Sequence, residues 1–180
     1  METSEIKSSK TKLLLMMLGS LAFITLGLFF VGNPDNFISA IFKNTIIISI
    51  IGFISIIFFS ICLIFIIRYF FFKKINLIIN EKGIIDNSSY TSVGMISWND
   101  INSINSISIS SNKFLIINVK NPHKYINNQT NFKKKLLERT FKTYGSPISI
   151  SSTILACNFN ELETSILKGF NYYKSTNNRV

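Results

Sequence analysis

Histidine occurs once and cysteine twice in the 180 residues of this chain, and those scarcities remove whole classes of chemistry. A metal centre needs clustered His, Cys and carboxylate ligands. His123 stands alone in a polar Pro-His-Lys stretch, and no His or Cys pair lies at ligand spacing. Cys62 sits inside an apolar run and Cys157 in the more polar half, so no disulfide framework is implied. Ile154, Leu155 and Phe159 surround Cys157 with apolar chain, the setting of a buried structural thiol. Acidic residues number 9 against 19 Lys and Arg. Asp86, Asp100, Glu81, Glu138, Glu161 and Glu163 are the carboxylates that residues 75–174 offer for acid–base work, and nothing in their spacing pairs any two of them. Asp100, close to Trp98, reads as a strand-end cap or turn residue. The chain has neither a G-x-S-x-G nucleophile elbow nor a glycine-rich phosphate loop. The reading is of a protein that is not an enzyme, with no catalytic, cofactor-binding or metal-ligating residue.

Charge is also missing from two long stretches, residues 13–32 and 45–67, which hold no Asp, Glu, Lys, Arg or His. A helix of roughly 20 apolar residues crosses a bilayer core of about 30 Å, and inside that core only a helix satisfies its own backbone within one segment. Both runs are therefore expected to be transmembrane helices, joined as a hairpin over residues 13–67. The first run is longer than a secretory signal core and exits through Phe30-Val31-Gly32-Asn33 without a small-residue cleavage pair, so it is expected to stay as an anchor. Lys7, Lys10 and Lys12 precede the first span, Arg68, Lys73 and Lys74 follow the second, and the connecting loop has Lys43 alone, balanced by Asp35. Positive flanks stay in the cytoplasm. The expectation is a multi-pass protein of the inner membrane with both termini cytoplasmic and residues 1–12 a polar cytosolic tail.

At the loop, Asn33 suits an N-cap and Pro34 a first helical position. Phe37, Ile38, Ile41 and Phe42 then recur at helical spacing, as in a short helix lying on the outer surface. Ser49, Gly52 and Ser60 share one face of the second span, where small residues let helices approach, either within the hairpin or in a homo-oligomer. Arg68, Tyr69, Lys73 and Lys74 are the expected headgroup anchors.

Residues 75–174 read as one small α+β domain with a polar tail at 175–180. Ile-rich runs flank Glu81-Lys82-Gly83, the pattern of a hairpin. A strand starts at Met95-Ile96-Ser97-Trp98, SISISS at 106–111 alternates with period two, and FLIINV at 114–119 is apolar enough for a central strand. Residues 120–130 read as irregular. Residues 132–144 form an amphipathic pattern, with Phe132, Leu136, Leu137, Phe141 and Tyr144 taken as the packed side and Lys134, Lys135, Glu138, Arg139 and Lys142 as the other. Gly145 and Pro147 stop that helix. ISIS at 148–151 is a further strand, and Asn158 with Glu161 can cap a last helix whose apolar side is Phe159, Leu162, Ile166, Phe170 and Tyr173.

Glu81-Lys-Gly-Ile-Ile and Ser97-Trp-Asn-Asp-Ile101, followed by a closing helix, resemble the bacterial pleckstrin-homology-like (PH-like) domains. With two spans in front and the Lys-Asn-Pro and Gly-Ser-Pro-Ile segments inside, the whole chain resembles a family of small bacterial membrane proteins. The resemblance implies a two-helix transmembrane hairpin followed by a PH-like small β-barrel or sheet domain, with an inserted helix and a C-terminal helix. It supplies architecture and no chemistry, because PH-like folds bind headgroups, peptides or proteins.

The remaining candidate is the basic helix. Lys133, Lys134, Lys135, Arg139 and Lys142 belong to a domain tethered at a bilayer, where each is worth about 1 kcal/mol against anionic lipid. They are expected to bind the membrane surface. Nucleic acid is not the expected partner, since the nearby aromatics are assigned to packing. The functional expectation is a non-enzymatic interaction module for a membrane-protein partner or for anionic headgroups of the inner leaflet, in a regulatory or immunity-type role. The alternative is a lipid-active or accessory subunit of a membrane enzyme.

Overall fold

The computed structural model describes residues 2–38, 44–72 and 75–177. The chain forms two units, one made of residues 10–72 and the other joining residues 2–9 to residues 75–177.

The first unit is a pair of helices, α1 (Lys10–Gly32) and α2 (Thr45–Phe72). Both are long and apolar enough to cross a membrane, with mean hydropathy 2.4 and 3.1. Their shared face is built on small residues. A Cβ at Gly27 would stand 2.9 Å from the Gly52 carbonyl oxygen, and one at Gly52 would stand 2.8 Å from that of Gly27. The backbones thus touch where neither residue has a side chain. Ser55 Oγ donates to the Phe23 carbonyl at 3.2 Å, and the Phe23 and Phe59 rings stack at 4.4 Å. Gly52 is therefore used inside the hairpin, against Gly27, and Gly19 meets nothing within 4 Å. The expected loop helix is a single 3₁₀ turn at Pro34–Phe37, and Asn33 makes no side-chain cap bond. Its backbone N–H instead continues α1 by donating to the Phe29 carbonyl. The rest of that expectation, through Ile41 and Phe42, lies outside the described residues, as do Lys43, Lys73 and Lys74.

The second unit is α+β. Strands β1 (Ser4–Lys7), β2 (Ile75–Asn80), β3 (Gly83–Asp86) and β4 (Gly94–Ser97) make one antiparallel sheet in that order. Strands β5 (Ile101–Ile109), β6 (Asn112–Val119) and β7 (Ile148–Ile150) make a second. Helices α3 (Pro122–Asn127), α4 (Asn131–Tyr144) and α5 (Phe159–Asn177) complete the unit.

Two features depart from the expected layout. First, residues 4–7 are a strand, not a polar tail. Lys7 faces Ile75 and Ile6 faces Leu77, so the helical pair is inserted between two neighbouring strands. The Lys7 carbonyl accepts from Ala156 N–H, and Ser9 N–H donates to the Ile154 carbonyl, both at 2.8 Å. The N-terminal segment therefore ties the first sheet to the chain that follows the second. Second, residues 122–127 are helical. Asn121 caps α3 through Lys124 N–H, Pro122 occupies the first turn, and the helix buries Tyr125 and Ile126. Further on, α5 runs to Asn177, past the expected end, and residues 178–180 lie outside the described residues.

One core serves both sheets. Leu77, Ile79, Ile84 and Ile96 from the first meet Leu115, Ile117, Ile148 and Ile150 from the second, with Leu162, Ile166 and Phe170 of α5 closing over them. Each fully buried side chain of this kind contributes about 1.5–3 kcal/mol. Trp98, 1 % exposed, donates its indole N–H to the Asn80 carbonyl at 2.8 Å and lies beside Phe170. The β2–β3 turn fits its sequence: Asn80 Oδ1 accepts from the N–H groups of Lys82 and Gly83. Gly83 has φ +154°, and a Cβ there would stand 2.1 Å from the Ile96 carbonyl oxygen, so the position admits only glycine.

Candidate functional site

Helix α4 carries the predicted basic residues. Its start lacks a side-chain cap at Thr130, and its end is Gly145 in the left-handed region at φ +76°. The packed side is narrower than the expected stripe. Leu137 is buried and Leu136 and Phe141 are half-buried, but Tyr144 is exposed and Phe132 is 65 % exposed. The helical period explains Phe132. Lys135, Arg139 and Lys142 lie three, seven and ten residues beyond it, so all four fall on one face, and all four are exposed. Lys133 and Lys134 are half-buried, off that face, and Lys133 Nζ donates to the Ser92 carbonyl at 2.5 Å. The predicted run of five cations is thus divided: three line an open face and two turn inward. Arg68 is exposed and Tyr69 half-buried near the end of α2.

The loop between β3 and β4 supplies a residue that sequence reading missed. Tyr90, 56 % exposed, packs its ring against that of Phe132 with centroids 6.0 Å apart. The signal for it was one aromatic in an otherwise polar loop. Ser92 Oγ accepts from Ser89 N–H at 2.9 Å and steadies the loop from within. Register fixes where this loop sits in the sheet. Leu77 faces Asp86, and Asn87 N–H donates to the Asn76 carbonyl, so β3 ends beside the start of β2. That is also where β1 ends, with Lys7 opposite Ile75. Tyr90 and Phe132 therefore belong to the end of the sheet at which the chain leaves for α1 and returns from α2.

Asp86 and Asp100 make separate local contacts. Asp86 is 1 % exposed; its Oδ1 accepts from Ser88 N–H and Oγ at 2.9 and 2.6 Å, and its Oδ2 has no hydrogen-bond partner among the described residues. Asp100 is not a plain turn residue. Its Oδ2 accepts from Lys124 Nζ at 2.6 Å and from Tyr125 Oη at 2.9 Å, which joins the start of β5 to α3. The Lys124 hydrogen bond, aided by that of Tyr125 and by the charges of Lys124 and Lys120, holds the Asp100 carboxyl below its usual range against the opposing effect of burial. Burial first, then the hydrogen bond to Asp100 and its negative charge, push the Tyr125 phenol well above its usual range. The phenol therefore keeps its proton at neutral pH and donates it to Asp100 in a hydrogen bond. His123 is exposed and meets the ring of Phe141 edge-on at 5.8 Å. No group of three metal-ligating side chains occurs among the described residues, and neither cysteine forms a disulfide. Cys157 packs against the core but is half-buried, not buried as expected.

At the other end of the sheet an open groove of about 430 Å³ is lined by Glu2, Thr3, Ser4, Ser165, Lys168 and Tyr172. Ser4 faces Ile79, so this groove and the Tyr90 loop occupy opposite ends of β1 and β2. No family model matches the chain, and neither a curated protein nor a solved structure matches it.

Proposed function

We propose that the chain is a two-span protein of the bacterial inner membrane, with both termini cytoplasmic, whose folded unit is a PH-like interaction module without catalytic activity. The observation that carries this reading is the insertion of two apolar helices between β1 and β2. Strands that pair must lie in one compartment, and two crossings return the chain to the side it left. The side-chain environment agrees: only 11 % and 6 % of the most apolar windows of α1 and α2 are buried, whereas the core helix of a soluble protein is mostly buried. The basic flanks support a cytoplasmic side for the folded unit. Two antiparallel sheets covered by a C-terminal helix support the PH-like assignment. The module reading is favoured over the enzyme reading because Asp86, Asp100 and His123 each serve separate local contacts. The partner is a membrane protein or the inner leaflet.

The test has two arms. A green fluorescent protein fused to the C-terminus is expected to fluoresce, and alkaline phosphatase inserted in the 33–44 connection is expected to be active; the reverse pattern overturns the topology. Cross-linking in cells at native expression, followed by gentle solubilisation, is expected to recover either one near-stoichiometric protein or retained anionic lipid. Turnover of a lipid substrate by the purified protein, lost in Asp100→Asn with the fold intact, would establish the enzyme instead.

A further inference from the structure

We propose that Tyr90 and the face of α4 carrying Phe132, Lys135, Arg139 and Lys142 form the surface by which the folded unit rests on an anionic bilayer, with the two rings seated among the headgroups. The inference rests on the membrane reading above and names the lipid side of its partner.

Three observations carry it. The first is solvent exposure of a paired aromatic set: Tyr90 and Phe132 pack ring against ring while 56 % and 65 % exposed. Two rings left in water forgo their burial, whereas at a membrane interface Tyr sits favourably at the headgroup level and Phe on its apolar side. The second is what shares the face. Going along α4 from Phe132, the exposed positions of that face are Lys135, Arg139, Lys142 and Thr143, with the half-buried Glu138 at its border. A basic stripe continuous with an apolar tip complements an anionic surface that has an apolar interior, and each cation there is worth about fivefold in partition. The third is position. The Tyr90 loop opens at the end of the sheet where Lys7 and Ile75 stand opposite each other, the point of departure and return for the two spans. Lys133, reaching the Ser92 carbonyl, fastens the start of α4 to that loop. The surface is therefore held at the end of the sheet where the chain leaves for α1 and returns from α2.

The experiment uses the full chain with one added tryptophan at a time: Phe29→Trp in α1, Phe132→Trp, and Tyr172→Trp at the opposite end of the sheet. Trp98, buried at that same far end beside Asn80, supplies a constant background. Each variant is reconstituted in vesicles of equal phosphatidylcholine and phosphatidylglycerol, with and without brominated acyl chains that quench nearby tryptophan. Quenching is expected for Phe29→Trp and Phe132→Trp, with a blue shift for the latter, and none for Tyr172→Trp. Adding Lys135→Gln, Arg139→Gln and Lys142→Gln, or using phosphatidylcholine alone, is expected to abolish the quenching at Phe132→Trp and spare that at Phe29→Trp. Quenching at Phe29→Trp without quenching at Phe132→Trp overturns the docking surface and leaves the membrane reading standing. No quenching at either position overturns both. Equal quenching at Phe132→Trp and Tyr172→Trp, or quenching at Phe132→Trp indifferent to lipid charge, also overturns the proposal.

Discussion

At the residue scale the informative group is Asp100 with Lys124 and Tyr125. Asp100 is held below its usual value, so its contribution is present above the unfolded carboxyl value of about 3.9 and is lost as pH falls through the folded one. Tyr125 is raised, so its contribution is present below the unfolded phenol value of about 10 and is lost as pH rises through the folded one. Asp100→Asn is expected to flatten the acid limb of the stability profile, and Tyr125→Phe the alkaline limb. Tyr125→Phe should also cost about 1–2 kcal/mol near neutrality, the worth of one hydrogen bond to a charged acceptor that is partly open to water. Urea titrations of the detergent-solubilised protein, followed by the emission of Trp98, measure all three. Single-residue chemistry was readable from sequence where its partner is close along the chain. Glu161 N–H donates to Asn158 Oδ1 and Asn158 N–H to Glu161 Oε2, both at 2.9 Å, as the Asn-x-x-Glu spacing predicts. The Asp100 joint was not readable, because Tyr125 lies a strand pair away and only the fold brings it back.

At the scale of elements, a helical period predicts a helix better than it predicts what the helix touches. Residues 132–144 were expected to be helical and are, yet Phe132 was grouped with Leu137 and Phe141 on apolar character. Counting turns instead aligns it with Lys135 and Arg139. Short elements escaped for a different reason. Helix α3 has six residues and β1 has four, too few for a period to show, and each is held by partners distant in sequence. The two apolar helices were plain from composition, but their contact depends on Gly27 and Gly52 meeting. Gly52→Leu is expected to force the helices apart at a cost of about 1–3 kcal/mol. With cysteines at positions 23 and 59 in a Cys62→Ala background, where the native rings stack, oxidative cross-linking should slow about tenfold on that substitution. An unchanged rate would mean that the helices do not depend on this close approach.

For the whole molecule, the decisive arrangement is that β1 and β2 are neighbours in the sheet and far apart in the chain. Ile6 pairs with Leu77 and is partly buried against the shared core. Ile6→Pro removes a ladder hydrogen bond and an apolar contact together. It is expected to destabilise the folded unit by about 2–4 kcal/mol while leaving the helical pair intact. Hydrogen exchange should then quicken at residues 77–79 and 154–156 and stay slow within α1 and α2; protection unchanged at 77–79 would show that β1 is dispensable. The α+β class was visible in sequence because alternation and capping are local. The place of the N-terminal segment in the sheet was not visible, because a four-residue strand beside a span is indistinguishable from a basic flank.

The same arrangement orders events during synthesis. On the membrane reading, β1 is made before both spans and its partner β2 after them. Closing that ladder must await the return of the chain to the cytoplasm, and the entropic cost of the wait grows only slowly with the length of chain between. A chain that inserts one span and not the other strands β1 and β2 on opposite sides of the bilayer. Its sheet then keeps an open edge at β2, with backbone groups unpaired along Ile75–Asn80. On the same reading, the β1–β2 ladder closes only in a copy that has inserted both spans.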